Sequence, residues 1–277
     1  MKPVRFDYQR PADLAGAVAL LGDGDAFAKV LAGGQSLGPM LNLRLVHPGV
    51  LVDITRIPEL ARVEEDADGL VLGACVTHAA IEDGRVPDVT GGALARVAAG
   101  IAYRAVRNRG TIGGSLAHAD PAADWLTCLA AIGAEVMIYG PRGRRSVAAA
   151  GFMTGVFETV LAPDELVEAV RIPRLSASAR FGFYKVCRKT GDFAEAIGAV
   201  LHEPERAVLR AVIGATDSTP IVVGDASGLF DGEPSTGRID RAAAARLLDE
   251  KGLGGDGFAK QIHLVALARA AIGVQRP

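Results

Sequence analysis

Ala28-Lys29-Val30-Leu31-Ala32-Gly33-Gly34-Gln35-Ser36-Leu37 is the stretch on which the reading of this chain turns. Its first four residues read as a short buried strand, and that strand runs straight into a tandem-glycine turn. Upstream, Leu14, Val18 and Leu21 repeat at helical spacing until Gly22 stops them. Downstream, Val50-Leu51-Val52-Asp53-Ile54 reads as a second extended run, so the opening is βαβ-like, and Arg56-Ile57-Pro58-Glu59 reads as a linker. Tandem glycines carry no Cβ, so successive N–H groups can point into one concavity, and the Gln and Ser that follow add donors. A phosphate is what such a concavity holds.

A turn of the same kind, Thr111-Ile112-Gly113-Gly114-Ser115-Leu116, follows a predicted helix from Ala93 to Arg107 that turns Leu94, Val97 and Ile101 inward. Two such turns can grip a diphosphate from opposite sides. Neither fits G-x-G-x-x-G or G-x-x-x-x-G-K-[ST], so neither a Rossmann dinucleotide site nor a P-loop is supported. Taken singly, each is also an ordinary tight turn. Beyond the second turn, Asp120 before Pro121 predicts a helix with Asp120 as N-cap and Pro121 at its first position, burying Trp125, Leu129 and Ile132. Asp124, one turn into that helix, would accept hydrogen bonds from ligand hydroxyls or simply favour the helix dipole. A metal site at His118, Asp120 and Asp124 lacks a fourth ligand nearby. Arg104, Arg107 and Arg109 crowd the same stretch; Arg104 and Arg107 read as solvating a helix C-terminus rather than as phosphate ligands. Arg142-Gly143-Arg144-Arg145 reads as the decoration of a hairpin or as a docking surface for a partner chain.

The remaining sequence bounds the answer. With 277 residues, 49% hydrophobic and 22% charged, the chain can bury a core in one to three compact units. Its 30 basic and 32 acidic residues leave a formal charge of −2, so no chain-wide basic field attracts nucleic acid or anionic lipid. The opening residues are charged and lack an apolar targeting segment, and no run reaches the ~18 apolar residues of a membrane span, so a cytoplasmic location is expected. Cys75, Cys128 and Cys187 form no C-x-x-C pair, which suits a reducing compartment and excludes a self-contained thiolate cluster; iron-sulfur chemistry, if used, would come from another chain. His47, His78, His202 and His263 show no triad pattern and receive no role. Leu70 to Ala74 and Glu135 to Tyr139 read as strands of a middle region. From Arg180 the pattern alternates, with Phe181, Phe183 and Lys185 against Gly182, Tyr184 and Val186, which suggests an antiparallel sheet, and helices follow near Arg241 to Leu248 and Ala259 to Ile272.

Four ordered motifs, AGGQS at Ala32 to Ser36, TIGGS at Thr111 to Ser115, ADPAAD at Ala119 to Asp124 and FYKVCRKTGDF at Phe183 to Phe193, together resemble the FAD-binding medium subunit of the molybdenum hydroxylases, the family of aerobic carbon monoxide dehydrogenase and of the xanthine dehydrogenase flavin domain. The resemblance implies an α+β fold: two N-terminal α/β FAD-binding subdomains, residues 1–55 and 56–175, and a C-terminal subdomain, 176–277, with an antiparallel three-stranded sheet and helices. It implies FAD, with Ala32, Gly33, Gly34, Gln35 and Ser36 on one side of the diphosphate and Thr111, Ile112, Gly113, Gly114 and Ser115 on the other. It further implies Asp124 at FAD hydroxyl or phosphate groups, Ile101 on the isoalloxazine ring, Val167 offering backbone to the adenine end, and Lys185 near the flavin, favouring negative charge there. Two departures stand out: Ser115 where the family often has Asn, and Phe193, which brings an aromatic face but no hydroxyl where the carbon monoxide enzyme has a tyrosine near the ring. The implied partners are a small iron-sulfur subunit and a large molybdenum cofactor subunit, in paired heterotrimers that pass electrons through FAD to an external acceptor. Two other readings fit the glycine turns: a stand-alone FAD oxidoreductase, and a non-catalytic nucleotide-binding module.

Overall fold

The computed structural model of the chain describes residues 2–24, 27–253 and 257–274. Its opening alternates β1 (Asp7–Gln9), α1 (Leu14–Gly22), β2 (Ala28–Leu31), α2 (Leu37–Asn42) and β3 (Val50–Asp53). The three strands are parallel in the order β1-β3-β2, as crossover connections through helices require. Asp13 starts α1 by accepting from the Gly16 amide at 2.8 Å. The central β3 is largely buried, whereas β2 lies at the sheet edge and is only half-buried, less than the sequence suggests. Residues 32–36 therefore emerge at the carboxyl end of a parallel strand, where open α/β sheets hold their ligands.

The middle region is a five-stranded sheet in the order β4-β5-β10-β6-β7, formed by β4 (Val63–Glu65), β5 (Gly69–Gly73), β6 (Glu135–Gly140), β7 (Gly143–Ala148) and, after the small hairpin of β8 (Met153–Gly155) and β9 (Glu158–Thr159), β10 (Leu166–Pro173). Every pairing in it is antiparallel, unlike the α/β subdomain the resemblance implies there. Hairpins join β4 to β5 and β6 to β7, and β10 returns to lie antiparallel between β5 and β6. Between β5 and β6 run α3 (His78–Glu82), α4 (Ala93–Ala99), α5 (Arg104–Arg107), α6 (Ile112–His118) and α7 (Asp124–Ile132).

Two helices differ from their expected spans, each for a local reason. The continuous helix from Ala93 to Arg107 is broken: α4 ends at Ala99, Ala102 takes a φ of +43°, and α5 starts at Arg104. Arg107 holds the break open, donating from Nη1 to the Ile101 and Ala102 carbonyls at 2.9 Å each while Nε and Nη2 grip Glu82 at 2.7 and 2.8 Å. α7 begins at Asp124 rather than Pro121, because Asp120 accepts from the Ala122 amide at 2.9 Å and closes a turn ahead of the helix. Every residue of α7 is buried, Trp125 completely.

The last sheet runs β11 (Arg180–Val186), β12 (Ala196–Glu203), β13 (Val208–Gly214) and β14 (Ile221–Val223). It has four antiparallel strands, not the three expected, because Ile221–Val223 returns to pair with Ala211–Ile213. After it come α8 (Arg241–Glu250) and α9 (Gly257–Ile272). α7 covers β12 and β13 while α9 crosses β11 and β12, so Ala196 to Leu201 are buried on both faces and read as one apolar run instead of an alternation.

Candidate cofactor-binding cleft

A cleft of about 910 Å³ runs where the first turn, the α4–α5 break, the start of α6 and β11 meet, near the upper end of the size range for small-molecule sites. The first turn is built to be bare. Gly34 takes a φ of +71°, and a Cβ on Gly33 would lie 2.0 Å from the Arg109 carbonyl oxygen, so glycine alone lets this turn lie against residues 109–110. Gln35 Nε2 donates to the Gly33 carbonyl at 3.2 Å and Arg109 Nε does so at 3.4 Å, fixing the turn from two sides. Among the described residues no acceptor engages the amides of Gly33, Gly34, Gln35 or Ser36, and the Ser36 side chain does not cap α2. Four backbone donors are thereby left for a ligand at the cleft wall.

The second turn behaves differently. Ile112 and Gly113 donate their amides to the Val76 and Ala74 carbonyls, each at 3.0 Å, and Gly114 donates to Thr111 Oγ1 at 3.1 Å as an ordinary helix cap. Gly113 is glycine because a Cβ there would sit 2.4 Å from that of Ala74. The expectation that both turns aim all their amides at one diphosphate is therefore corrected: in the second turn the amides from Ile112 to Ser115 are already spent within the protein. Ile112 and Gly113 are buried and do not line the cleft, whereas Thr111, Gly114 and Ser115 do. The turns nonetheless adjoin, since a Cβ on Gly114 would meet that of Ala32 at 3.7 Å.

Asp124 and Lys185 form an ion pair at the cleft wall, 3.0 Å from Nζ to Oδ1, and Nζ also donates to the Gly100 carbonyl at 2.9 Å. The Asp124 carboxylate accepts from Lys185 at Oδ2, 3.2 Å, while its buried Oδ1 accepts no hydrogen bond. Burial pushes its carboxyl above the ordinary range and Lys185 pulls it back. The cation expected to favour negative charge on a ligand is answered by its own carboxylate, so the pair presents a dipole. Ile101 reaches the cleft because the helix breaks there. Phe193 stands at the cleft, 75% exposed, on a loop seated by Gly191, whose φ of +90° keeps the backbone close to the Ala102 carbonyl.

Val167 stands apart from the residues that line the cleft. It lies inside the middle sheet, 4% exposed and paired with Ile138, and does not line the cleft. Leu161, Ala162 and Pro163 do line the cleft, as do Leu21 and Met40, and the Pro-containing loop signals a turn in sequence but no ligand. Arg104 and Arg107 are ion-paired with Glu82 and Asp83, in keeping with a role away from any phosphate. His118 stacks on Phe157 at a centroid distance of 5.1 Å, and among the described residues no group of three or more His, Cys, Asp or Glu is arranged to hold a metal ion. Burial raises the Cys75 thiol to about 12, and the three cysteines are unbridged.

A diphosphate-bearing ligand with a long, partly apolar body fits this construction: four open amides beside a wall that a single Cβ would fill, continuing into apolar side chains. Residues 4–175 match the profile of the FAD binding domain in molybdopterin dehydrogenase. The chain is 38% identical to the carbon monoxide dehydrogenase medium chain of Hydrogenophaga pseudoflava, over 79% of this chain and 77% of that one. It is 36% identical to the nicotine 6-hydroxylase medium subunit of Paenarthrobacter nicotinovorans, over 88% and 87%. Among solved structures, carbon monoxide dehydrogenase from Hydrogenophaga pseudoflava superposes with a TM-score of 0.84 at 31% identity, covering 99% of this chain and 98% of that one. Quinoline 2-oxidoreductase from Pseudomonas putida 86 gives 0.79 at 31% identity over the full length of both. No helix among the described residues is long and apolar enough to cross a membrane. The chain belongs to the family of FAD-binding subunits of molybdenum-containing dehydrogenases and hydroxylases, and FAD is its cofactor.

Proposed function

We propose that this chain is the electron-relay subunit of a cytoplasmic molybdenum hydroxylase complex, working with a small iron-sulfur subunit and a large molybdenum cofactor subunit in a dimer of heterotrimers. The observation that carries the reading is the row of unpaired amides from Gly33 to Ser36 at the wall of a cleft large enough for FAD. When bound, FAD supplies the exchange between single electrons from the iron-sulfur clusters and the electron pair handed to an external acceptor. The chain's own residues hold and surround the cofactor. Gly33 to Ser36 would donate to the diphosphate, with Ala32, Thr111, Gly114 and Ser115 closing the adjoining wall. Ile101 and Phe193 would flank the isoalloxazine ring, Phe193 without a hydroxyl to add a hydrogen bond. Leu21, Met40 and Leu161 offer apolar surface for the adenine end, in place of Val167. The Asp124–Lys185 pair would set a fixed dipole beside the ring system.

Purification of the native assembly tests this. The expected result is one FAD for each copy of this chain, with iron and molybdenum carried by two further subunits. A yellow chain that elutes alone, without iron or molybdenum partners, would overturn the relay reading, and a colourless one would overturn the flavin assignment.

A further inference from the structure

His78 opens α3 and is only 5% exposed, yet its imidazole lines the cleft. Its Nδ1 accepts from the Trp125 indole N–H at 3.1 Å. An indole nitrogen can only donate, so Nδ1 carries no proton and the neutral ring holds its proton on Nε2. Burial, with the Arg107 guanidinium as second cause, pushes the imidazole down to about 4, so the ring is neutral. Among the described residues no carbonyl, carboxylate or hydroxyl accepts from Nε2. That atom is not sealed inside the protein either: among the described residues the buried side-chain atoms without a hydrogen-bond partner are Arg62 Nε, Asp124 Oδ1 and Thr127 Oγ1. The Nε2–H is an open donor at the cleft.

Its position along the wall follows from two glycines. A Cβ on Gly110 would lie 2.9 Å from both Cδ2 and Nε2 of His78, and a Cβ on Gly33 would lie 2.9 Å from the Gly110 Cα. The imidazole edge, the Gly110 backbone and the first turn therefore succeed one another along one wall. The amides from Gly33 to Ser36 mark where an anion would sit, and Nε2–H is a further donor at the same cleft.

We propose that His78, held as its Nε2–H tautomer by Trp125, is a FAD-binding residue that donates a hydrogen bond to an oxygen of the diphosphate cradled by the Gly33–Ser36 turn. The proposal rests on the FAD reading of the cleft. Trp125 fixes the tautomer, and its place inside the fully buried α7 fixes the ring direction. Gly110 supplies clearance for the ring. A neutral donor adds a directed bond to the phosphate oxygen with no new buried charge.

The full chain, stripped of flavin, is titrated calorimetrically with FAD and separately with ADP, which carries the diphosphate without the flavin. His78→Leu is expected to weaken both by about 10- to 100-fold, the scale of one hydrogen bond to a charged group. His78→Gln, whose amide can accept from Trp125 and donate to the diphosphate, is expected to recover most of that loss. In the unaltered chain, imidazole nitrogen NMR should show the proton on Nε2, with its hydrogen signal moving downfield as ADP binds; this arm stands even if His78→Leu fails to fold. Unchanged ADP affinity in His78→Leu, loss for FAD but not for ADP, or a ring protonated on Nδ1 would each overturn the proposal. An unaltered chain that binds neither ligand would instead overturn the FAD reading on which it rests.

Discussion

A Gly33→Val chain is expected to purify without its yellow colour. The new Cβ would stand 2.0 Å from the Arg109 carbonyl oxygen, 2.6 Å from its carbon and 2.9 Å from the Gly110 Cα. All three obstacles are backbone, so no side chain can swing aside, and the valine methyls add to the conflict. Either the first turn lifts away or residues 109–110 retreat, and they lead directly into Thr111. Both routes move the four open amides relative to the rest of the wall. An overpacking penalty of about 1–3 kcal/mol, taken wholly from the bound state, weakens FAD by roughly 5- to 150-fold. The ratio of flavin to protein absorbance after gel filtration measures it. Gly151→Ala is the control, because nothing lies within 4 Å of a Cβ there. A Gly33→Val chain that keeps stoichiometric flavin would show that this contact does not shape the cleft.

The second large effect concerns Lys185→Met. Lys185 is 11% exposed and Asp124 8%, so removing the ammonium leaves a carboxylate that water scarcely reaches. Stripping one partner from a buried pair costs about 3–5 kcal/mol. Burial already raises the Asp124 carboxyl above its unfolded value, and without Lys185 it rises further. A raised group contributes its stability at low pH and loses it as pH climbs through the folded value. Denaturant unfolding at pH 8 should therefore show the full deficit, and at pH 5 the gap to the unaltered chain should narrow. Adding Asp124→Asn to Lys185→Met should recover much of the loss at pH 8, since no buried charge then remains. A deficit of the same size at both pH values would contradict the account.

Much of this was legible in the sequence because local chemistry and tertiary structure agree. The strand before Gly33, the Gly140–Gly143 reversal and the alternation from Arg180 onward each form as their residues suggest. The misreadings share a cause, namely side chains acting over long sequence distances. Periodicity from Ala93 to Arg107 signals one helix, and only Arg107 turning back onto the Ile101 and Ala102 carbonyls, itself anchored to Glu82, breaks it. The two glycine turns look alike in sequence, yet the amides of Ile112 and Gly113 are spent on Val76 and Ala74, just past the end of a distant strand, which no motif announces. Asp124 reads as a ligand acceptor or a helix-dipole partner, and nothing local announces the Lys185 that the fold brings against it from 61 residues away. An apolar strand residue such as Val167, buried in the middle sheet, looks the same in sequence whether it faces a ligand or a core.

That unequal use of amides gives the cleft one jaw that is set in advance and one that waits. In flavin-free protein, deuterium should enter Gly33 to Ser36 within the dead time of the experiment, while Ile112 to Ser115 resist it as long as the surrounding core does. Adding FAD should slow the first group sharply and hardly change the second. Loading the cofactor is then a one-sided pairing of amides, in which the β2–α2 corner gains its missing acceptors beside a template already in place.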